Sequence, residues 1–175
     1  MGKTSLVREV GTMPTSGVVY VHSAPLAVAP HVEWAIARVL GGPVRLEWSS
    51  QPADPTTRRT ECTWTGQPGT GAEFVAALRG WPMLRFEVTE EPSPGYDGER
   101  YMHVPGRGLF RAAVSVTGDL MLSENQIRGV LATARGSEAM AHALGRLLGT
   151  AWDAELEPYR VAGEGAPATW LTQAG

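Results

Sequence analysis

The chain has 175 residues, with 15 Lys+Arg against 18 Asp+Glu and a formal net charge of −3. That length fits one domain and is enough to bury a core without metals or disulfides. A pI near 5.8 gives no broad basic field for phosphate neutralisation, and no run approaches the roughly 18 apolar residues of a membrane helix. The single cysteine, Cys62, excludes an intrachain disulfide framework and multi-cysteine zinc sites. The 21 glycines and 13 prolines exceed the usual roughly 7% and 5% and predict many turns.

The N-terminus MGKTSLVREVG lacks the apolar stretch of a signal peptide. Its Gly2-Lys3-Thr4 has no upstream phosphate-loop glycine and no preceding strand. Residues 1–14 read as a disordered leader, and Met13 offers a second start. The expected location is the cytoplasm.

Residues 17–23 (GVVYVHS) read as a buried strand. Pro30 suits a first helical turn, and Val32, Ala35, Ile36, Val39 and Leu40 carry helical spacing up to Gly41-Gly42. Val44, Leu46 and Trp48 alternate with Arg45, Glu47 and Ser49, predicting a strand. A second alternating strand spans 58–65, with Cys62 and Trp64 facing the core. Thr70 and Glu73 suit a capping box ahead of Phe74, Ala77 and Leu78. Leu84, Phe86 and Val88 alternate with Arg85, Glu87 and Thr89 in the next strand.

The order β-α-β-β-α-β predicts an α+β fold with a ferredoxin-like core over residues 15–98. Two helices cover one sheet face. Arg45/Glu47, Arg59/Glu61 and Arg85/Glu87 lie on the other, read as an open face that either meets solvent or docks a partner.

Residues 99–175 read as an addition packed with that core as one domain. It holds a β-hairpin over 99–117, a short run at 120–122 and a helical hairpin. Ser123 and Gln126 suit a capping box ahead of Ile127, Val130 and Leu131. Met140, Ala143, Leu144, Leu147 and Leu148 follow in the second helix. From Trp152 onward a Pro/Gly-rich, irregular tail with Leu156, Tyr159, Trp170 and Leu171 wraps over the domain or a partner.

Catalytic signatures are scarce. His31-Val32-Glu33 matches H-x-E of zinc deaminases, but the P-C-x-x-C pair that site needs cannot come from one cysteine. A zinc site from His22, His31 and a carboxylate is weaker than a packing role for both histidines. Ser23 follows His22, yet neighbours on a regular strand point to opposite faces, which leaves His31 as its base. No G-x-S-x-G elbow is present. Cys62, on an apolar strand face, reads as an inert core thiol. The glycine pairs at 106/108 and 163/165 read as turns. No catalytic residue, metal or cofactor is expected.

The segments VVYVHSAP (18–25), APHVEWA (29–35), LRGW (78–81), LRFEVTEEP (84–92), GERY (98–101), LGTAWDAELEPYR (148–160) and GEGAP (163–167) together resemble an actinobacterial family of uncharacterised cytoplasmic proteins, a domain of unknown function. The resemblance implies a high-GC Gram-positive origin and no established activity. Its gene neighbourhoods point toward fatty-acid synthesis, hence acyl-carrier or acyl-CoA carboxylase machinery.

Two functions follow as expectations. The first is a non-enzymatic interaction or regulatory protein docking on a larger cytoplasmic assembly, its partner held by Arg45, Arg59, Arg85, Trp152, Tyr159, Arg160 and Trp170. The second is a small-molecule binder or hydrolase with His22, Ser23, His31 and Glu33 at the end of the first strand. Nucleic acid is disfavoured because the Arg/Glu face offers no aromatic platform. Homo-oligomerisation is left open.

Overall fold

A computed structural model describes residues 12–162. Residues 1–11 of the expected leader lie outside the described residues, as do Trp170, Leu171 and the glycine pair at 163/165.

Among the described residues the fold is a mixed α+β domain with one seven-stranded antiparallel sheet and five helices. The elements are β1 (Thr15–Pro25), α1 (Ala29–Leu40), β2 (Ser49–Ser50), β3 (Thr57–Gly66), α2 (Thr70–Leu78) and β4 (Arg85–Glu90), then β5 (Gly98–Val104), β6 (Gly108–Val114), β7 (Leu120–Met121), α3 (Glu124–Thr133), α4 (Ser137–Leu148) and α5 (Thr150–Val161). The sheet order is β2-β3-β1-β4-β5-β6-β7. Its first four members run β2-β3-β1-β4 with antiparallel neighbours, an order compatible with the split βαβ pattern. Residues 99–121 extend this sheet and form no separate layer: β5 pairs with β4 from Glu90↔Glu99 to Phe86↔His103.

Alternation along the strands gives each face its own core. Val19, Val21, Trp64, Phe86, Val88 and Tyr101 point to one face, where α1 and α2 add Val32, Ile36, Phe74 and Leu78. Met102, Val104, Phe110 and Ala112 point to the other, where α5 contributes Leu156 and Trp152. Gly149 turns α4 into α5 with φ +74°, a conformation L side chains rarely adopt. A Cβ there would sit 2.7 Å from Met102 Cε and 2.8 Å from Phe110, so backbone presses directly on the second core.

Five local expectations are corrected. The strand expected over 44–49 pairs with β3 only at Ser49 and Ser50: the Leu46 amide donates to Glu33 Oε2 on α1 (3.3 Å) instead of joining a ladder, and the Trp48 indole Nε1–H donates to the same oxygen (3.2 Å). The Thr70/Glu73 capping box is absent: Thr70 Oγ1 donates to the Gln67 carbonyl. Gly69 is the N-cap, and the Glu90 carboxylate from β4 accepts the Gly69 and Gly71 amides, both at 2.7 Å. The Ser123/Gln126 box does form.

The chain from Trp152 is not irregular but helical through Val161, with Pro158 inside the last turns. The sheet face expected to be open is covered by that helix, which packs on β5 and β1 and buries Glu87 of β4 beneath Arg160. Cys62 is half-buried rather than a full core residue.

Candidate functional site

The second sheet face carries a buried ion cluster that the sequence pattern assigned to an open surface. Glu87 of β4 is 1% exposed. Its Oε1 accepts from His22 Nε2–H (2.8 Å) and Arg160 Nε–H (2.7 Å), and its Oε2 from Arg100 Nη2–H (3.3 Å). Asp153 Oδ1 accepts from the same two arginines, at 2.7 Å from Arg100 Nη2 and 3.0 Å from Arg160 Nη2. The sulfur of Met102 sits against both guanidinium groups. Two strands supply Glu87 and Arg100, and one helix supplies Asp153 and Arg160. The residues Trp152, Leu156 and Arg160 recur every four positions, so the helical period that buries the apolar pair also aims Arg160 at Glu87.

Burial alone would raise the pKa of Glu87. Hydrogen bonds and electrostatic attraction from His22 and Arg160 outweigh it and hold the carboxyl at about 2. For Arg160, burial pulls the pKa down, but the carboxylates of Glu87 and Asp153 reverse this and raise it. Tyr20 stacks on His22, with centroids 5.9 Å apart. Its hydroxyl is pushed up to about 12 by burial, then by Glu61, Glu87 and Glu91. The cluster ties α5 to β4 and β5 through both arginines. Both its carboxylates accept hydrogen bonds from the two arginines.

A cavity of about 560 Å³ adjoins the cluster, with Val18, Tyr20 and Leu148 beside Arg100, Thr150 and Asp153. Among the described residues there is no group of three or more His, Cys, Asp and Glu able to hold a metal.

The four residues expected to form a pocket at the end of β1 have separate partners. His22 joins Glu87. Ser23 Oγ–H donates to Thr57 Oγ1 (3.2 Å). Glu33 holds the segment before β2, and His31 lies exposed with its ring edge-on to Trp34.

The strict alternation assumed for His22 and Ser23 does not hold. The register of β1 slips between Val21 and Ser23 against β4 and between Val21 and Ala24 against β3. A bulge of this kind inserts an extra residue and re-aims its side chain. Gln51, fully buried, locks it: its Nε2 donates to the His22 carbonyl (2.7 Å) and to the Tyr159 carbonyl (3.2 Å).

Of the residues expected to hold a partner, three face their own sheet. Trp152 Nε1–H donates to the Gly108 carbonyl (2.9 Å), and its ring packs on Phe110. Tyr159 lies under the Arg85 guanidinium, 4.4 Å from its centroid, and Arg160 is in the ion cluster. Arg45 and Arg59 instead line a groove beside β3. Trp170 is outside the described residues.

Sequence reading missed Glu87, Arg100 and Asp153 as one unit. Each sits in an alternating or acidic pattern that reads as solvated, and the unit forms only when α5 returns across the sheet. One signal was present: Arg100 lies in GERYMHV, a strand buried on both faces.

A mixed α+β domain with helices on both faces of an antiparallel sheet is the class this geometry defines. A family model described as protein of unknown function (DUF3145) matches residues 18–173, and the chain belongs to that family. No curated protein and no solved structure matches it.

Proposed function

We propose that this protein acts without catalysis of its own, as an interaction or regulatory module that docks on a larger cytoplasmic assembly. One observation carries the reading: α3 buries only Val130 of its ten residues, leaving Ile127 and Leu131 42% and 58% exposed on one helical face. α3 packs on α4, and α4 on α5, so the hairpin stands at the margin of the domain with that apolar face uncovered by other described residues. Acyl-carrier or acyl-CoA carboxylase machinery is the first assembly to test, on the family resemblance alone.

No helix among the described residues is long and apolar enough to cross a membrane, so an uncovered helical face on this hairpin fits a protein partner better than a span.

The test compares wild type with the Ile127→Asp/Leu131→Asp double variant, both tagged and purified from the native host at low salt. Wild type brings down one partner in stoichiometric amount, and the double variant loses it with an unchanged melting temperature. Recovery of wild type alone, or retention of the partner by the variant, overturns the proposal.

A second reading, a small-molecule binder, draws on the 560 Å³ cavity beside Tyr20 and Asp153, a volume typical of ligand sites. A ligand there raises the melting temperature and perturbs tyrosine fluorescence. A metabolite panel that changes neither removes this reading.

A further inference from the structure

α5 covers only part of the second sheet face. Beside it Val18 and Tyr20 of β1 stay half-buried, and Leu148 at the end of α4 is 40% exposed. With Val114 and Leu120 they give apolar walls to the cavity of about 560 Å³, which Thr150 and Asp153 close on the α5 side. Acids outnumber cations on its other walls: Glu90, Glu91, Glu99, Asp119 and Asp153 against Arg100. An occupant of these walls therefore needs apolar bulk and no negative charge of its own.

The chain that follows α5 meets both requirements. Residues 165–175 carry no charged side chain and include Trp170 and Leu171. The family match runs on to residue 173, so both belong to the family's common sequence. The starting point of the segment is close to the cavity. Gln51 Nε2 donates to the Tyr159 carbonyl and to the His22 carbonyl, so α5 ends beside β1 at His22. Tyr20 and Val18 follow along β1 on the same face. From Val161 back to Asp153, at the cavity, is eight helical residues, or about 12 Å. Residues 163–170, extended, span about 23 Å, so Trp170 reaches the cavity with slack for a turn. The one charge of the segment, Glu164, comes two residues after the Ala162 cap, at the end of α5 where the Arg85 guanidinium covers Tyr159.

We infer that residues 163–171 turn back along α5 and seat Trp170 and Leu171 in this cavity, so that the protein fills its own groove. Gly163 stands just past the helix cap, the position where glycine most often reverses a chain. A short tether gives the indole an effective concentration on the order of millimolar, above that of a second copy in dilute solution. A small molecule enters the cavity only by displacing Trp170. The surface differs from the α3–α4 hairpin, so Ile127→Asp/Leu131→Asp leaves this contact intact and the two readings fail separately.

The experiment labels the full chain with fluorotryptophan and records fluorine NMR. The chain has six tryptophans, and the signal missing from Trp170→Phe belongs to Trp170. That signal is expected to show little solvent isotope shift between water and deuterium oxide, unchanged on tenfold dilution. Leu148→Glu, on a partly exposed wall, is expected to restore the full shift, and Ile127→Asp/Leu131→Asp to leave it unaltered. A nitroxide on Thr63→Cys in a Cys62→Ser background, exposed beside Val18 on the same face, is expected to broaden the Trp170 signal; if Leu148→Glu does not fold, the nitroxide decides alone. A full isotope shift in wild type, shielding that survives in folded Leu148→Glu, release by the α3 variant, or a Trp170 signal left sharp by the nitroxide overturns the inference. So does shielding lost on dilution, which marks a contact between copies.

Discussion

Replacing Glu87 by glutamine removes a buried charge while keeping the side chain's size. The folded carboxyl has a pKa of about 2 against an ordinary 4.5, a gap of about 2.5 pH units at 1.36 kcal/mol each, or about 3 kcal/mol. Breaking a buried ion pair by removing one partner costs about 3–5 kcal/mol, so two routes give the same size. The sign follows from the lowered pKa. This stabilisation is fully present above pH 4.5 and is lost as pH falls through 2. Urea unfolding of wild type and Glu87→Gln at pH 7, 5, 3 and 2 measures it. The variant is expected to be less stable by about 3 kcal/mol at pH 7 with an unchanged m-value, and the difference to shrink steadily below pH 4.5. A variant as stable as wild type at pH 7 would refute the reasoning, as would a gap that persists undiminished at pH 2.

Four further outcomes are expected. Gly149→Ala forces a Cβ onto Met102 and Phe110 at a positive φ and lowers stability by about 2–3 kcal/mol in chemical denaturation. Leu156→Ala, at a fully buried site under the sheet, costs about 2–5 kcal/mol, with amide exchange in α5 rising before that in β1. Glu90→Ala leaves the Gly69 and Gly71 amides without their acceptor and costs about 1.5–3 kcal/mol, read as a loss of melting temperature. Burial pushes the Cys62 thiol pKa up, so alkylation by iodoacetamide gains its full rate only above the ordinary cysteine range; a rate already maximal at pH 8 contradicts that.

Much of the sheet was legible in the sequence because its strands state their faces locally. Val19 and Val21 lie in a short apolar run, Phe86 and Val88 alternate with Arg85, Glu87 and Thr89, and Phe110 and Ala112 share one face; each pair is buried. Residues 44–49 alternate just as well, yet one carboxylate on α1 diverts them. A side chain thirteen positions away competes with the ladder, and no local pattern announces it. α5 was illegible for another reason: Pro158 and the Gly/Pro-rich stretch after it suggested a tail, while its buried stripe of Trp152, Leu156 and Arg160 includes a cation that sequence rules place in water. Glu87 reads as exposed by the same logic until Arg160, 73 residues later, is brought against it. The candidate site was legible only in part. Arg45 and Arg59 were singled out as partner-facing cations and line the β3 groove, whereas the bulge that re-aims His22 and Ser23 arises from pairing on both sides of β1.

The Glu87–Arg160 pair also sets a clock for the nascent chain. β1 is synthesised early but cannot complete its sheet neighbours until β4 has emerged, and Glu87 then waits for a helix still unmade. At about 5–20 residues per second, the 73 intervening positions take several seconds. During that interval the carboxylate, His22 and the Met102 face lack their final cover. Ribosome-bound chains ending before residue 150 should therefore bind ribosome-associated chaperones through this face, and those extending past residue 160 by the length of the exit tunnel should release them.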